Sequence, residues 1–476
     1  MNDIAHLWLD SQVGSTNAEY LERQDRRESN ARTYARKLRI VVAKAQGMMV
    51  QDVEGRVYFD CLAGAGALAL GHNHPMVVAA LRRALDDGLP FQTLDLMTPL
   101  KDAFTEALFS TLPPEFATRS RIQFCGPAGT DAVEAAIKLV KTATGKNALL
   151  TFTGGYHGMS QGALALMGNL STKTDLGGLM PGAQFLPFPH AYRCPFGVGG
   201  EETARLSAAL IRSSLADPEG GVAPAGMIAE LVQGEGGVIP APDSWTRDIR
   251  VITRERGVPL VLDEIQTGWG RTGRLYAFEH AGIIPDVLVL SKAIGGGLPL
   301  AVILYDKDLD KWRPGAHAGT FRGNQLAMAT GLATLQVIRA EGLVPNAAAM
   351  GDRMAGNLRS LQAEIPLIGH VRHRGLMVGA EIVDPDGVED VLGHPPAHGD
   401  AARAIQQECL KRGLILDLVG RFGAVARFLP PLIITAEQVD QVCEIFRDAC
   451  LAVVRNPKDT VVQTTTRPLP AKTKIL

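Results

Sequence analysis

Two short apolar runs, each ending in a chemically active polar residue, constrain this chain more than any other feature. Val258-Pro259-Leu260-Val261-Leu262 passes directly into Asp263-Glu264-Ile265-Gln266-Thr267-Gly268. Asp286-Val287-Leu288-Val289-Leu290 passes into Ser291-Lys292, followed by Gly295-Gly296-Gly297. Uninterrupted apolar runs of strand length fit strands buried on both faces, the condition of a parallel sheet covered by helices. In an open sheet of that kind, ligands bind outside the carboxyl ends of the strands. A carboxylate and an amine at two such ends therefore face one crevice.

The rest of the chain repeats the pattern. Further strand-length runs lie at Ala148–Phe152 and Met227–Val232, and Ala132, Val133, Ala136, Ile137 and Val140 make one apolar helix face. Met76 to Ala84 also reads as helix. Strands alternating with helices predict a doubly wound, mostly parallel α/β sheet. After a helix around Ala327–Arg339, strand-like segments at Arg372–Ile382 and Gly413–Ile434 alternate with helices at Asp400–Arg412 and Ala436–Val454, an α+β pattern. Short strands are expected between Val41 and Leu70, with Gly55 as a turn. Residues 1–40 are polar and read as an N-terminal arm or initial helix. Residues 456–476, rich in Thr, Pro and Lys, read as a flexible tail.

Composition excludes several classes. With 46% hydrophobic and 21% charged residues among 476, the chain is globular, with too much core for one small domain. Lys plus Arg number 48 against 50 for Asp plus Glu, so no general attraction to nucleic acid or an anionic membrane is expected. The longest apolar stretch, Cys61 to Leu70, is about half of the ~20 residues a membrane span requires. The start lacks a basic-then-apolar run, and the six cysteines contain no C-x-x-C pair. Reduced thiols and a cytoplasmic location are the expectation.

Three further motifs suggest a ligand. Gly126-Pro127-Ala128-Gly129-Thr130-Asp131 precedes the amphipathic helix, and small residues at a helix start leave backbone N–H groups free to meet an anion. This is neither G-x-G-x-x-G nor a P-loop, so neither a dinucleotide nor ATP fits it. Gly154-Gly155-Tyr156-His157-Gly158 follows a strand and can lay an aromatic ring over a planar ligand. His72 and His74 lack further ligands at zinc-like spacing and read as a turn into a helix, so no metal site is expected.

The segment from Asp263 to Gly297 resembles the signature of class III aminotransferases, which use pyridoxal 5'-phosphate. The resemblance extends from about Val41 to Val454. It takes in Gly129-Thr130, Tyr156-His157-Gly158, Glu230, Gln233-Gly234-Glu235-Gly236, Gly319-Thr320-Phe321-Arg322-Gly323-Asn324 and Arg427. Within the family, Phe124–Pro127, Tyr156–Ala163, Tyr192-Arg193-Cys194-Pro195-Phe196-Gly197, Gly315–Asn324 and Leu392-Gly393-His394-Pro395-Pro396 are most similar to the siderophore-pathway diaminobutyrate–2-oxoglutarate aminotransferases.

The resemblance implies a fold-type I homodimer with shared active sites. Its large domain would span residues 75–330 and its small domain residues 41–74 and 331–455. Lys292 would carry the cofactor covalently and shuttle a proton, which needs a neutral amine for part of the cycle. Asp263 would pair with the ring nitrogen. Gln266 would approach the ring hydroxyl, Ile265 and Tyr156 would cover opposite faces, and Gly129, Thr130 and the other subunit's Thr320 would hold the phosphate. His157 and Glu230 would belong to the same cofactor site. Glu235 and Arg427 would bind substrate as a switched pair.

Where many ω-aminotransferases place Arg after His-Gly, this chain has Met159, which it shares with the diaminobutyrate branch; Leu231 replaces a frequent Pro. The implied reaction is L-2,4-diaminobutanoate plus 2-oxoglutarate giving L-aspartate 4-semialdehyde plus L-glutamate. The alternatives are an ω-aminotransferase acting on ornithine, 4-aminobutyrate or a polyamine, and a racemase or aminomutase using the same cofactor.

Overall fold

The apolar runs become the centre of a seven-stranded sheet. A computed structural model describes residues 15–169, 171–174, 176–216 and 223–455. The tail expected at 456–476 and the first 14 residues of the arm lie outside them. In spatial order the sheet runs Ser120–Phe124, Val302–Asp306, Val287–Leu290, Leu260–Asp263, Pro224–Ala229, Ala148–Phe152 and Ala183–Leu186. Val302–Asp306 is antiparallel to both its neighbours, and all the other pairings are parallel.

Burial on both faces explains why these strands do not alternate in polarity. Leu260, Leu262, Leu288 and Leu290 point into one core with Trp245 and Phe278. Val261, Val287, Val289 and Ile303 point into the other, against Ala132, Val133, Ala136, Ile137 and Val140 of the helix Gly129–Thr144. Fully burying one such aliphatic side chain contributes about 1.5–3 kcal/mol, so the two faces together hold the strand ends rigidly. The strand expected at Met227–Val232 starts and stops three residues earlier, at Pro224–Ala229. That shift frees Glu230 from the ladder.

Two four-stranded sheets accompany this one, besides a two-stranded ribbon of Val232–Gln233 and Ile239–Pro240. Val42–Gln46, Met49–Asp52 and Val57–Asp60 form an antiparallel meander, and Leu414–Ile415 joins Val57–Asp60 in parallel. Ile368–Arg374, Met377–Ile382, Val425–Phe428 and Asp417–Val419 form the other, wholly antiparallel. The helices Leu343–Glu364, Gly399–Lys411 and Ala436–Arg455 accompany these strands. The polar N-terminal stretch contains a capped helix, Asn17–Arg27, in which Thr16 and Glu19 form a reciprocal capping box. His72 bonds Asp60 at 2.8 Å and His74 opens the helix Pro75–Asp86, so both serve the turn. Among the described residues no helix is long and apolar enough to cross a membrane.

Candidate active site

The carboxyl ends of four adjacent parallel strands bring the expected residues together. Past Phe152 the chain turns through Tyr156 and His157. Past Ala229 comes Glu230, the next strand ends on Asp263, and past Leu290 comes Lys292. These residues line a cavity of about 290 Å³, together with Gly129, Thr130, Glu235, Ile265 and Gln266. The volume suits a small organic molecule.

Lys292 adopts a left-handed backbone, φ 52°, at the start of the turn Lys292–Gly295. A non-glycine residue there stores strain, on the order of 1–3 kcal/mol, which surrounding structure must hold. Burial pushes its amine down to about 8, against the opposing pull of the Glu235 charge. A lysine so placed is neutral for a large fraction of the time near pH 8 and can act as nucleophile or base.

Asp263 is 4% exposed. Its Oδ2 lies 2.8 Å from His157 Nδ1, and its Oδ1 accepts the Ile265 N–H at 3.1 Å. Burial opposes a charge on His157, but the hydrogen bond and negative charge of Asp263 outweigh it and raise its pKa. His157 thus fixes the orientation of the Asp263 carboxylate. Glu230 lines the same cavity, yet both its oxygens serve backbone: Oε1 accepts Tyr156 N–H at 2.8 Å and Oε2 accepts Gly234 N–H at 3.1 Å. It ties the Tyr156 turn to the Glu235 turn. Burial pushes its carboxyl up to about 7, the Asp263 charge adding to the effect.

The phosphate-like end is built from small residues. A Cβ on Gly129 would lie 2.9 Å from Ile265 Cδ1, so glycine is what lets Ile265 pack over the helix start. Gly158 has φ 124°, and a Cβ there would meet Thr130 Oγ1 at 2.5 Å. Thr130 Oγ1 is 2.6 Å from Ser160 Oγ, whose hydroxyl also donates to Glu134. At the N-cap of the helix Gly129–Thr144 the Ala128 N–H donates to Asp131 Oδ2 at 2.9 Å, and Ala128, Gly129 and Thr130 of this helix start line the cavity.

Arg427 sits beneath this cavity and is fully buried. Its Nη1 donates to Glu235 Oε1 at 2.6 Å and to Gln266 Oε1 at 3.3 Å, and its Nη2 donates to Asp417 Oδ2 at 2.8 Å. Gln266 Nε2 donates to the Ala65 carbonyl at 3.2 Å, so this side chain also joins the turn Ala63–Gly66, just after the N-terminal meander, to the site. Met159, 55% exposed, lines the cavity beside Tyr156.

Of the expected residues, two are not among those lining the cavity: Arg427, which reaches it through Glu235 and Gln266, and Thr320. Thr320 is exposed at the head of the turn Thr320–Gly323, in a loop that passes Gly126 closely enough for a Cβ on Gly319 to lie 3.8 Å from Gly126 N.

Three residues near Arg427 were not anticipated. Asp417 stands opposite Arg427 in the register of an antiparallel pair. Lys37 Nζ lies 3.6 Å from Asp417 Oδ1. Tyr34 feels Asp417 and Glu235, whose charges add to burial in raising its phenol above the ordinary range. The polar N-terminal stretch therefore reaches the site.

The family model for class-III aminotransferases matches residues 30–450. A diaminobutyrate–2-oxoglutarate aminotransferase of Rhizobium meliloti (strain 1021) is 59% identical over 435 residues, 91% of this chain and 93% of that protein. One from Haemophilus influenzae is 50% identical over 446 residues, 93% and 98% of the two chains. Among solved structures, the ornithine aminotransferase from Toxoplasma gondii superposes with a TM-score of 0.81 at 25% identity, covering 96% of this chain and 100% of that one. An amine transaminase from an uncultivated Pseudomonas species, solved in its PLP-bound form, gives 0.79 at 26% identity over 90% and 98%. The chain belongs to the class-III aminotransferase family.

Proposed function

We propose that this chain is a pyridoxal-phosphate-dependent aminotransferase that converts L-2,4-diaminobutanoate and 2-oxoglutarate to L-aspartate 4-semialdehyde and L-glutamate. The observation that carries this reading is the buried Arg427 covered by Glu235 beside Lys292, in a cavity where Met159 supplies no second cation. The 59% identical relative with the same named activity supports it.

The residues present fit the cofactor. A glycine-lined helix start suits a phosphate, a buried carboxylate suits a protonated ring nitrogen, and a lysine with a lowered pKa suits covalent capture. Lys292 would carry the cofactor, Asp263 would face its ring nitrogen with His157 behind, and Ile265 and Tyr156 would cover its faces. Gln266 would meet the ring hydroxyl, Gly129 and Thr130 would hold the phosphate, and Glu230 would brace the two turns that shape the site. When bound, pyridoxal 5'-phosphate supplies the electron sink and the carbon that carries the amino group from donor to acceptor.

The chain's own groups do the rest. Lys292 Nζ takes the proton from the carbon bearing the transferred amine and returns it on the other side of the exchange. Asp263 holds a negative charge fixed behind the reacting centre. The donor offers its distal amine while Glu235 covers Arg427. Glutamate and 2-oxoglutarate carry a carboxylate next to the reacting carbon, and for them Glu235 moves aside so that the planar fork of Arg427 binds that carboxylate.

The working form would be a cytoplasmic homodimer in which Thr320 completes the partner's phosphate site. Support comes from exposed apolar side chains at Phe91, Leu94, Leu96, Met97 and Phe321 around the Thr320 loop, held to that loop by the Arg322–Asp95 ion pair at 2.7 Å. Such a patch on a monomer's surface marks an interface.

A panel of amino donors against 2-oxoglutarate, read as glutamate formed, tests the reading. L-2,4-Diaminobutanoate should exceed ornithine, 4-aminobutyrate and polyamines in kcat/KM by at least tenfold. A better rate with any of those three would replace it. Turnover without any keto acid would point to a racemase or aminomutase.

A further inference from the structure

Two stretches that the active site does not use meet on the far side of the Glu235 turn. Arg193, in Tyr192–Gly197, donates from Nη2 to the carbonyl of Pro395, in Leu392–Pro396, at 2.6 Å. Its Nη1 reaches Asp390 Oδ2 at 3.2 Å and its Nε reaches Glu381 Oε1 at 2.9 Å. The Tyr192 ring stacks on His370 with centroids 4.4 Å apart, and His394 lies against it at 4.1 Å.

Beneath this contact is a second cavity, of about 110 Å³, whose walls include the titratable side chains of Arg193, Arg372, Arg421, His190 and Glu381, with the neutral polar Thr153 and Gln233 beside them. Its charges do not balance. Glu381 is buried and is already shared, with Arg193 on Oε1 at 2.9 Å and Arg372 on Oε2 at 2.7 Å. Asp390 meets Arg193 from the outer side. Arg421 makes no side-chain hydrogen bond or ion pair among the described residues. The Nε2 atom of His190 is buried with no partner. Burial and the positive charges of Arg372, Arg193 and Arg421 keep that ring neutral. The exposed Arg421 and the unpartnered His190 Nε2 therefore line a small space whose one carboxylate, Glu381, is already engaged by Arg193 and Arg372.

We propose that this cavity is a second ligand site that takes a small oxyanion, either a carboxylate or a tetrahedral ion of sulfate or phosphate size. Guanidinium forks match the paired oxygens of such ions, and a neutral imidazole N–H adds one more donor. The volume is well under the ~300–1,000 Å³ of sites for larger organic ligands, which restricts the occupant to a few heavy atoms. The turn Gln233–Gly236 separates the two cavities, with Gln233 and Gly236 lining this one and Glu235 lining the active site. Arg372 Nε also donates to the carbonyls of Gly237 and Val238 at 2.8 and 3.1 Å, and Gly420, next to Arg421, donates to the Glu235 carbonyl at 2.9 Å. An anion here rests against the back of the turn that carries Glu235.

Isothermal titration of the cofactor-loaded enzyme with sodium sulfate, and separately with sodium acetate, at ionic strength fixed with sodium chloride, tests this. Saturable binding of at least one anion is expected, with sulfate preference marking a tetrahedral site and acetate preference a carboxylate site. Arg421 is exposed and unpartnered, so Arg421→Ala should fold normally and bind at least tenfold more weakly. Arg205→Ala, an exposed charge removed elsewhere, should bind as wild type. Absence of saturable binding, equal affinity in Arg421→Ala, or an equal loss in Arg205→Ala would overturn the proposal.

Discussion

Arg427 is held at both ends of its guanidinium, by Glu235 at 2.6 Å and by Asp417 at 2.8 Å. The two carboxylates differ in freedom: the Asp417 side chain is 4% exposed and that of Glu235 is 32% exposed. Asp417 is fixed by its strand and by Lys37, whereas Glu235 sits on a turn at the cavity wall. One partner anchors the arginine and the other can leave it.

That asymmetry sets the first prediction. In single-turnover stopped-flow experiments, Arg427→Ala should slow the half-reaction with glutamate by ~30-fold or more, the scale of losing a buried charged contact of ~2 kcal/mol or above. The half-reaction with diaminobutanoate should lose far less. Glu235→Ala should leave Arg427 uncovered and shift reactivity toward α-amines. Equal losses in both halves for Arg427→Ala would contradict a switch.

Lys292 carries the second. Covalent capture of the cofactor requires its neutral amine, and burial places that transition at about 8, not near the ordinary lysine value of 10.5. The rate at which cofactor-free protein gains its visible absorption band should rise with pH and level off just above 8. A rate still climbing steeply at pH 10 would mean that the amine is not held down. Lys292→Ala should form no such band while keeping its fold by circular dichroism.

Asp263→Asn preserves shape and removes the charge. A hydrogen bond to a charged group contributes ~1.5–3 kcal/mol, so proton transfer should slow by about 10- to 100-fold while the cofactor stays bound. A donor deuterated at the reacting carbon should show a larger isotope effect in the variant. Wild-type half-reaction rates would exclude the role.

Glu230 gives a stability prediction with a definite sign. Its folded pKa is raised to about 7 from 4.5, so the folded state holds a proton that the unfolded chain releases. Stability from this group is full below pH 4.5 and is lost as pH rises toward 7, by at most about 3 kcal/mol at ~1.4 kcal/mol per unit. Glu230→Gln cannot ionise. Its thermal midpoint relative to wild type should improve between pH 5 and pH 8, and a constant difference would refute the raised pKa.

The parallel strands and the helix Gly129–Thr144 were legible because burial on both faces leaves a continuous apolar signal, and Lys292 and Asp263 stand at the ends of those runs. Strand direction was not. Ala301–Leu304 is an apolar run like the others, but its antiparallel course depends on the turn Lys292–Gly295 that precedes it. Asp417 could have been paired with Arg427 by reading Gly420 as the turn of a hairpin. Tyr34 and Lys37 left no such signal, since they lie in a polar stretch and acquire meaning only when it folds across the strand Asp417–Val419.

The central claim is that one site transfers the distal amine of diaminobutanoate to 2-oxoglutarate. L-2,4-Diaminobutanoate labelled with nitrogen-15 only at its distal amine, turned over with unlabelled 2-oxoglutarate, tests it most directly by mass spectrometry of the glutamate formed. The account predicts that the glutamate carries the label. Unlabelled glutamate, formed at a comparable rate, would show that the α-amine reacts and would contradict it.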